Sequence, residues 1–418
     1  MSGLLIVAGE ASADHHGATV VEALRLKGFS PKVWGVGGDA LVAQGADLVA
    51  TSKEMAVMGL FEGLSKWPLI FRAFKEIVRR VKKNRPDVAL LIDYPGFNIR
   101  LAKVLKKLKI PVVYYISPQI WAWKPGRIHT LKECISEMLV IFQFEEKIYM
   151  DANIPVKFVG HPILERKSRN NETSIEGLLT DRPIVTLMPG SRISEIRRLM
   201  PPIVDAAKRI FAKRPDVQFG LPLAPTIDRP FVESYLADLP FRVVMVENNR
   251  DALIKISDAA IVCSGTATLD VGIAAVPMVV IYKGSPITVF IGRRFIHRQL
   301  FGMTNVLMRR EVVPEFFQEE ISGERIADVI LKYITDEKYA SEIKKELGEI
   351  KRLLGEPGAS GRVAERLVPY LTGEITDRHS DEITDRHSGP VPRHCEEGRE
   401  GDPSLRSGQA PQSLLSSP

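Results

Sequence analysis

The sequence predicts an α/β protein with two parallel sheets, and three observations support this prediction. Short, almost wholly apolar runs alternate with segments of helical spacing, as in Leu4–Ala8 followed by Gly17–Lys27. The same alternation starts again at Ile184–Met188. Runs that are apolar on successive residues are typical of strands buried on both faces of a parallel sheet. Two such series in a chain of 418 residues indicate two Rossmann-like domains.

The other elements extend this pattern along the chain. In the first half, a helix over Ile99–Leu108 lies between the predicted strands Val88–Ile92 and Pro111–Ile116. The second half is richer in strands separated by turns and helical segments, as expected for a second parallel sheet. Its further predicted strands are Val217–Leu221, Val243–Val246, Ala259–Cys263 and Met278–Tyr282.

The expected domain boundaries follow from these elements. The polar stretch 167–182 has no apolar period, so it is the expected linker. We expect one domain over residues 1–170, a second over 180–330, and C-terminal helices over 331–372 that pack back towards the first domain. Residues 373–418 contain the repeat EITDRHS twice, followed by Pro-, Gly- and Ser-rich sequence, which predicts a disordered tail.

The composition limits the classes of function. No apolar run reaches the roughly 20 residues of a membrane-spanning helix, and the first residues do not resemble a signal peptide. Cys134, Cys263 and Cys395 are too few and too scattered for a disulfide framework or a zinc site, which fits a reducing cytoplasm. The first 372 residues carry a net charge of +10 and the remaining 46 carry −4, so the body favours an anionic partner. No nucleic-acid-binding module is recognisable.

The first candidate functional loop follows the first predicted strand, because ligands of open parallel sheets bind beyond the carboxyl ends of strands. It contains Glu10, Ser12 and His16 within GEASADHHG. Small residues allow a sharp turn into a helix whose free N–H groups hold an anion or sugar hydroxyls. Neither a dinucleotide-binding motif nor a Walker A motif is present. The alternative is an ordinary helix start capped by Ser12 or Asp14.

The second candidate loop begins at Asp93, directly after the predicted strand Val88–Ile92 and before Pro95-Gly96. A carboxylate at this position points into the ligand cleft of a parallel sheet. It acts as a general base if its surroundings tune its pKa. The alternative is a turn-forming aspartate, which is common before Pro and Gly.

Two loops of the second half are candidates for a diphosphate site. Ser191 and Arg192 follow the strand Ile184–Met188, and Arg192 stands at the start of a helix. The sequence SGTATLD, from Ser264 to Asp270, follows another strand. The alternative for each loop is a capped strand-to-helix turn. No Asp-x-Asp pair occurs in the chain, so we expect a site without a metal ion or other cofactor, in which Arg and amide groups neutralise a leaving diphosphate.

A basic amphipathic segment over residues 55–83 is a candidate for membrane contact. Apolar residues lead into a helix whose other face is basic, and such a helix lies on an anionic membrane surface. A second apolar and basic cluster occupies residues 290–298. The alternative is a surface helix with its apolar face in the core. The residues expected to face a membrane are Met58, Phe61, Trp67, Phe71, Arg72, Lys75 and Arg79.

Taken together, these motifs resemble the lipid-A-disaccharide synthase family, glycosyltransferase family 19. The resemblance covers about residues 4–370, and its segments appear in order along the chain. The stretches SPQIWAW and PGSR with a following EI are its most specific parts. Matching segments include IVAGEASAD at Ile6, IDYPGFNIRLA at Ile92, YYISPQIWAWKPGRI at Tyr114, LMPGSRISEI at Leu187, CSGTATLDV at Cys263 and MTNVLMRREVVPEFFQ at Met303.

This resemblance implies a metal-independent, inverting glycosyltransferase of the GT-B type, with two Rossmann-like domains facing a cleft. It implies transfer of 2,3-diacylglucosamine from its UDP conjugate to 2,3-diacylglucosamine 1-phosphate, giving lipid A disaccharide 1-phosphate and UDP. The expected location is the cytoplasm, peripherally at the inner face of the cytoplasmic membrane. The expected partners are the two substrates and that membrane surface, with no nucleic acid and with a homodimer as an open expectation.

The resemblance also implies roles for individual residues. Asp93 is the expected base for the acceptor 6-hydroxyl, and His16 is a rival base because of its place in the first loop. Glu10 and Ser12 are expected in the acceptor cleft. The residues expected to bind the UDP-sugar are Ser191, Arg192, Ser264, Gly265, Thr266, Asp270, Asn305 and Gln318.

The sequence departs from the family pattern at three positions. Ala13 stands where the first loop usually has Gly, Gly96 where some relatives have a second Asp, and Asp270 where Glu is usual. Three alternatives remain open at this point. They are another GT-B transferase acting on a lipid-linked acceptor, a UDP-sugar 2-epimerase on the same fold, and a catalytically dead binding module.

Overall fold

The computed structural model describes residues 2–55, 60–118, 126–165, 174–284 and 300–375, without the side chains of residues 60–67. The cluster predicted at residues 290–298 and all but the first residues of the predicted tail lie outside these ranges. Within the described residues, no helix is both long and apolar enough to cross a bilayer.

The first sheet is parallel throughout and lies in the first 158 residues. Leu4 to Ala8 and Val88 to Ile92 are completely or almost completely buried, because helices cover both faces of the central strands. Its strands, in the spatial order β3-β2-β1-β4-β5-β6-β7, are β1 (Gly3–Ala8), β2 (Lys32–Gly37), β3 (Asp47–Thr51), β4 (Val88–Ile92), β5 (Val112–Tyr115), β6 (Glu137–Val140) and β7 (Val156–Phe158).

Helices connect successive strands of this sheet. The longest, over Leu60–Lys83, turns Ile77 and Val81 into the core. A short 3-10 turn, Pro162–Glu165, ends this part of the chain. The helices are α1 (Ala11–Leu26), α2 (Asp39–Ala43), α3 (Ser52–Met55), α4 (Leu60–Lys83), α5 (Pro95–Lys107), α6 (Arg127–Cys134) and α7 (Gln143–Asp151).

The second sheet is also parallel throughout. In the spatial order β10-β9-β8-β11-β12-β13, its strands are β8 (Ile184–Met188), β9 (Gln218–Pro222), β10 (Val243–Val246), β11 (Ala259–Cys263), β12 (Met278–Tyr282) and β13 (Glu315–Phe317). The helices are α8 (Ile193–Lys213), α9 (Arg229–Leu236), α10 (Arg250–Lys255), α11 (Ala267–Ile273), α12 (Met303–Met308), α13 (Gly323–Thr335), α14 (Glu337–Leu347), α15 (Glu349–Leu354) and α16 (Ala359–Leu371).

The last helix, α16, returns to the first half of the chain and packs against α1. Ser360 donates to the carboxylate of Glu165, with an Oγ–Oε2 distance of 2.6 Å. The guanidinium of Arg366 lies 2.7 Å from the carboxylate of Glu137, which is 3% exposed. Burial raises the pKa of Glu137 and Arg366 opposes the rise. A buried carboxylate needs such a partner, so this ion pair ties α16 to β6.

These two parallel sheets with their helices confirm the predicted α/β class. One boundary differs from the prediction, because α1 begins at Ala11 rather than at Gly17. Ser12 and His16 therefore lie in the first turns of a helix rather than in a loop. Neither alternative cap is observed, since Glu10 occupies the cap position and the Asp14 carboxylate instead accepts from Gly38 N at 2.6 Å, at the start of α2.

Candidate active site

The loop after β4 holds Asp93 in a strained and firmly fixed conformation. Asp93 and Tyr94 have φ angles of 48° and 50°, in the left-handed region that non-glycine residues rarely adopt. The carbonyl oxygen of Asp93 accepts from the Tyr114 hydroxyl at 2.6 Å and from Asn98 Nδ2 at 2.7 Å. The Tyr94 hydroxyl donates to Met55 O at 2.9 Å. Three side chains therefore hold a backbone that would otherwise relax.

The neighbouring loop is built to accommodate this conformation. The Tyr94 ring lies against Gly9 so closely that a Cβ at Gly9 would come within 2.6 Å of it. The glycine directly after β1 is thus required by the close approach of the Asp93 loop. The two predicted loops consequently lie side by side at the carboxyl ends of β1 and β4.

The environment of Asp93 tunes its acidity. Burial, together with the negative charge of Glu10, raises the pKa of the Asp93 carboxyl to about 6. The backbone N–H of Tyr94 opposes this shift. A carboxylate with a pKa near the working pH is suited to accept a proton from a hydroxyl group. Asp93 therefore has the chemistry of a general base.

We predict that Tyr114→Phe lowers kcat about 2- to 10-fold and leaves KM unchanged, because the hydrogen bond that fixes Asp93 is worth roughly 0.5–1.5 kcal/mol. Burial raises the pKa of Tyr114, so its hydroxyl stays protonated and donates. Steady-state kinetics and thermal melting test this prediction. Tyr333→Phe is the matched control, since the buried Tyr333 hydroxyl donates to Met278 O at 3.2 Å in the second half. Equal loss of kcat in both variants would remove the positioning role.

A cavity of about 370 Å³ opens beside Asp93. It lies at the carboxyl ends of β4, β5 and β6, where ligands bind in parallel sheets. Its polar residues are Asp93, Ser117, Arg127 and Glu145. Ser117 Oγ donates to Glu145 Oε1 at 2.6 Å, and Glu145 is 1% exposed. The remaining lining residues are Pro95, Ile116, Pro118, Ile141 and Phe142.

Sequence reasoning assigned no role to Ser117, Arg127 or Glu145. Ser117 and Arg127 lie within the stretch SPQIWAWKPGRI. Glu145 comes after strand β6, which the sequence did not predict. The rule that ligands bind beyond strand ends would have found Ser117, because it follows the predicted strand Pro111–Ile116 directly. Placing Glu145 required β6 to be recognised first.

The residues of the first loop lie at the start of α1. Glu10 and Ser12 are exposed, and His16 is partly buried with its ring edge-on to Tyr115 at a centroid distance of 6.4 Å. Glu10 acts on the pKa of Asp93, so its charge is close to that carboxylate. Ala13 lies within the helix, where its Cβ is accommodated in the core.

The loop after β8 differs in detail from the site expected there. Glu195 Oε2 accepts from the amides of Ser191 and Arg192 at 3.0 and 3.2 Å, so the chain's own carboxylate occupies these donors. Glu195 Oε1 also pairs with the Arg192 guanidinium at 2.9 Å. Gly190 is required here, since its φ is 114° and a Cβ would lie 2.5 Å from Glu195. The Arg192 side chain remains 68% exposed.

The loop after β11 leaves backbone accessible to a ligand. Gly265 has a φ of 151°, and no atom lies within 4 Å of the place where its Cβ would be. Thr266 is exposed, and Ser264 Oγ donates to Phe301 O at 2.8 Å. The carboxylate of Asp270 pairs with Arg250 at 2.8 Å. A ribose contact to Asp270 must therefore share that carboxylate with Arg250.

Asn305 and Gln318 are both buried, with different surroundings. Asn305 is 0% exposed, its amide nitrogen donates to Val313 O and to Glu315, and its carbonyl accepts from Val312 N and Val313 N. These bonds support the segment after α12 rather than present an amide to a ligand. Gln318 is 6% exposed with a φ of 54°, and its Nε2 has no partner among the described residues.

The basic segment α4 turns most of its apolar side chains inward. Ile77 is fully buried, and Phe74 packs partly buried against the same core. Phe71 is 51% exposed, with Lys75 Nζ 4.5 Å from its ring centre. Arg79 pairs with Glu76 at 2.7 Å. The alternative of a surface helix with its apolar face in the core therefore describes the part of α4 from Ala73 to Val81. Met58 and the side chains of Phe61 and Trp67 lie outside the described residues.

Sequence comparison decides the family of this protein. The profile of the lipid-A-disaccharide synthetase family matches residues 4–360. The chain belongs to this family. The lipid-A-disaccharide synthase of Myxococcus xanthus (strain DK1622) is 42% identical over 372 residues, covering 88% of this chain and 97% of that protein. The synthase of Geobacter metallireducens is 40% identical over 366 residues, covering 86% and 95%. The predicted family is confirmed, and the chain is a glycosyltransferase.

Solved structures share the fold of this family member at low sequence identity. A UDP-N-acetylglucosamine 2-epimerase described as putative, from Listeria monocytogenes, aligns with a TM-score of 0.62 and 10% identity, covering 90% of this chain and 97% of that one. MurG of Acinetobacter baumannii aligns with a TM-score of 0.55 and 13% identity, covering 88% and 99%. The GT-B fold predicted from the sequence is thereby confirmed.

Proposed function

We propose that the chain transfers 2,3-diacylglucosamine from UDP-2,3-diacylglucosamine to the 6-hydroxyl of 2,3-diacylglucosamine 1-phosphate. The products are the β-1,6-linked lipid A disaccharide 1-phosphate and UDP. The observation that supports this proposal best is the position of Asp93 in a member of the lipid-A-disaccharide synthetase family. Its backbone is strained, and its carboxyl lies beside a cavity and has a pKa of about 6.

In the proposed reaction, the acceptor occupies the cavity beside Asp93. The Asp93 carboxylate accepts the proton of the acceptor 6-hydroxyl while the oxygen of that hydroxyl attacks the anomeric carbon of the donor. The bond between this carbon and the diphosphate oxygen breaks, and UDP leaves. Glu10 and Ser12 lie at the same edge of the sheet and contact the acceptor. His16 is the rival base, and its ring lies edge-on to Tyr115.

The proposed donor site uses the loops of the second half. Arg192 leaves Glu195 and binds the diphosphate, beside Ser191. The open backbone of Ser264, Gly265 and Thr266 receives the phosphates, because no Cβ blocks its approach at Gly265. Asp270 shares its carboxylate between Arg250 and the ribose. Gln318 offers its unpaired Nε2 to the donor, and Asn305 supports the loop beneath it.

We also propose peripheral attachment to the inner face of the cytoplasmic membrane through α4. Both proposed substrates carry acyl chains, so the cavity must be reached from a lipid surface. The exposed ring of Phe71 and the basic groups of Arg72 and Lys75 border one groove that suits an anionic surface. Sedimentation with vesicles containing anionic lipid tests this, and equal sedimentation with neutral vesicles would contradict the electrostatic part.

The decisive experiment is a synthase assay with the purified full chain, both proposed substrates, and EDTA. Disaccharide 1-phosphate and UDP appearing in equal amounts is the expected result. UDP release without disaccharide would show donor hydrolysis instead of transfer. Absence of both products, with UDP still bound, would reject these substrates and leave a different acceptor to be found.

A further inference from the structure

The cavity beside Asp93 contains one cation that the proposed mechanism has not used. Arg127 is the first residue of α6 and is partly buried at the cavity wall. Among the described residues it forms no ion pair within 4 Å of a carboxylate. A guanidinium at a cavity wall without a carboxylate partner keeps its donors for an anion, which it can bind through charge-assisted hydrogen bonds.

The Asp93 carboxylate does not engage the Arg127 guanidinium, which leaves Arg127 able to bind a ligand. The pKa of Asp93 is raised by burial and by Glu10, and the opposing effect comes from a backbone N–H rather than from Arg127. The Arg127 charge does act on the Tyr114 hydroxyl, whose pKa is raised chiefly by burial. Arg127 therefore lies near the back of the Asp93 loop without neutralising the carboxylate. Pairing with Asp93 would have lowered that pKa and weakened the base.

The other carboxylate of the cavity wall is engaged by a neighbouring side chain. Glu145 is 1% exposed and accepts from Ser117 Oγ at 2.6 Å. Among the described residues of the cavity wall, Asp93 as the base and Arg127 as the cation are therefore the charged groups that remain for a ligand. A ligand that carries both a hydroxyl and an anion matches this pair.

We infer that Arg127 binds the phosphate of a sugar-phosphate acceptor while Asp93 receives a hydroxyl of the same sugar. This inference rests on the proposed function, in which the acceptor is a glucosamine 1-phosphate. The 1-phosphate is carried on C1 and the 6-hydroxyl on the CH2 group of C5, the two carbons that flank the ring oxygen, so one acceptor presents both groups from the same edge of its ring. A cavity of about 370 Å³ has room for a monosaccharide headgroup. Arg127 thus makes the enzyme select phosphorylated over unphosphorylated acceptors.

The test compares two acceptors, 2,3-diacylglucosamine 1-phosphate and 2,3-diacylglucosamine, with wild type and Arg127→Gln. The wild type should prefer the phosphorylated acceptor. Arg127→Gln should raise KM for it about 10- to 100-fold, the range of a charge-assisted hydrogen bond. Its kcat/KM for the unphosphorylated acceptor and its KM for the donor should stay within about twofold. Arg127→Lys should recover part of the preference, because charge returns without the planar fork.

Lys132→Gln is the matched control, because Lys132 is an exposed cation on the same helix and does not line the cavity. It should leave the preference unchanged. Equal losses for both acceptors in Arg127→Gln, or a raised donor KM, would overturn the inference. Equilibrium binding of both acceptors in detergent micelles separates the two proposals. If the wild type binds the phosphorylated acceptor without turnover and Arg127→Gln loses that binding, the phosphate site stands and the proposed reaction fails.

Discussion

Asp93→Asn is expected to lower kcat by about 100- to 10,000-fold with little change in either KM, because general-base catalysis contributes in that range. The amide has the shape of the carboxylate but accepts no proton. In the wild type, kcat should rise with pH through about 6 and level off above it, since the active form of Asp93 is deprotonated. This acidic limb should be absent from the residual activity of Asp93→Asn. Steady-state kinetics from pH 4.5 to 9 measures both effects.

A stability measurement separates catalysis from damage to the fold. The folded-state pKa of Asp93 is raised, so the unfolded chain binds fewer protons between its ordinary pKa and about 6, and stability falls as pH rises through that window. The Asp93→Asn variant has no charge to bury at this position, so its melting temperature should be higher than that of the wild type at pH 8. The difference in melting temperature should vanish near pH 4. A lower melting temperature at pH 8 would mean that the variant is misfolded and that its kinetics do not report on the base.

Glu10→Gln tests which groups raise the pKa of Asp93. After burial, the negative charge of Glu10 is the second reason that the pKa of Asp93 is high. Removing it should move the acidic limb to lower pH. Because Glu10 is exposed, the shift should shrink as salt is added. An acidic limb that does not move would leave burial as the sole cause.

The sequence predicted well the strands that are continuous apolar runs, and it missed strands that contain a glycine or a charged residue. Val88–Ile92, Ile184–Met188, Val243–Val246, Ala259–Cys263 and Met278–Tyr282 have the bounds predicted from their apolar runs. These strands are mostly fully buried, so hydrophobicity alone marks them. The structure therefore confirms the part of the fold in which the local signal and the tertiary environment agree.

The strands that were missed depend on contacts that no local pattern contains. β2 includes Gly35, which resembles a turn signal, yet a Cβ there would overlap the carbonyl oxygen of Ile6 on β1. The glycine thus serves close strand packing rather than a turn. β6 begins with Glu137, which is buried only because Arg366 reaches it from α16. A pattern of neighbouring residues cannot predict a partner that lies 229 residues away along the chain.

For the site, the sequence predicted positions but not the state of each side chain. Asp93 follows β4 as expected, but its left-handed backbone depends on Tyr114 and Asn98, which only the fold brings together. Arg192 stands at the start of α8 as expected, but its pairing with Glu195 was not foreseen. A motif determines where a residue lies along the chain. The hydrogen-bond partner of its side chain depends on which other residues the fold brings near it.

Arg192→Ala is expected to lower kcat/KM for the UDP-sugar about 100- to 1,000-fold, because a positioned donor aimed at developing charge contributes roughly 2.7–4 kcal/mol. The leaving diphosphate gains negative charge in the transition state. Among the described residues, Arg192 pairs with one carboxylate, that of Glu195, and its side chain is 68% exposed, so we expect the more highly charged diphosphate to displace Glu195. The UDP dissociation constant should rise as well, by about tenfold or more.

The matched control for this prediction is Arg209→Ala. Arg209 lies on the same helix α8 and pairs with Asp205 at 3.0 Å, so its removal breaks a comparable exposed ion pair away from the loop. It should leave kcat/KM and UDP binding within about twofold, since exposed ion pairs contribute little. Arg192→Lys should fall between wild type and Arg192→Ala, because a bidentate contact needs the guanidinium fork. Calorimetry with UDP decides the case, and unchanged binding together with unchanged kcat/KM in Arg192→Ala would place the diphosphate elsewhere.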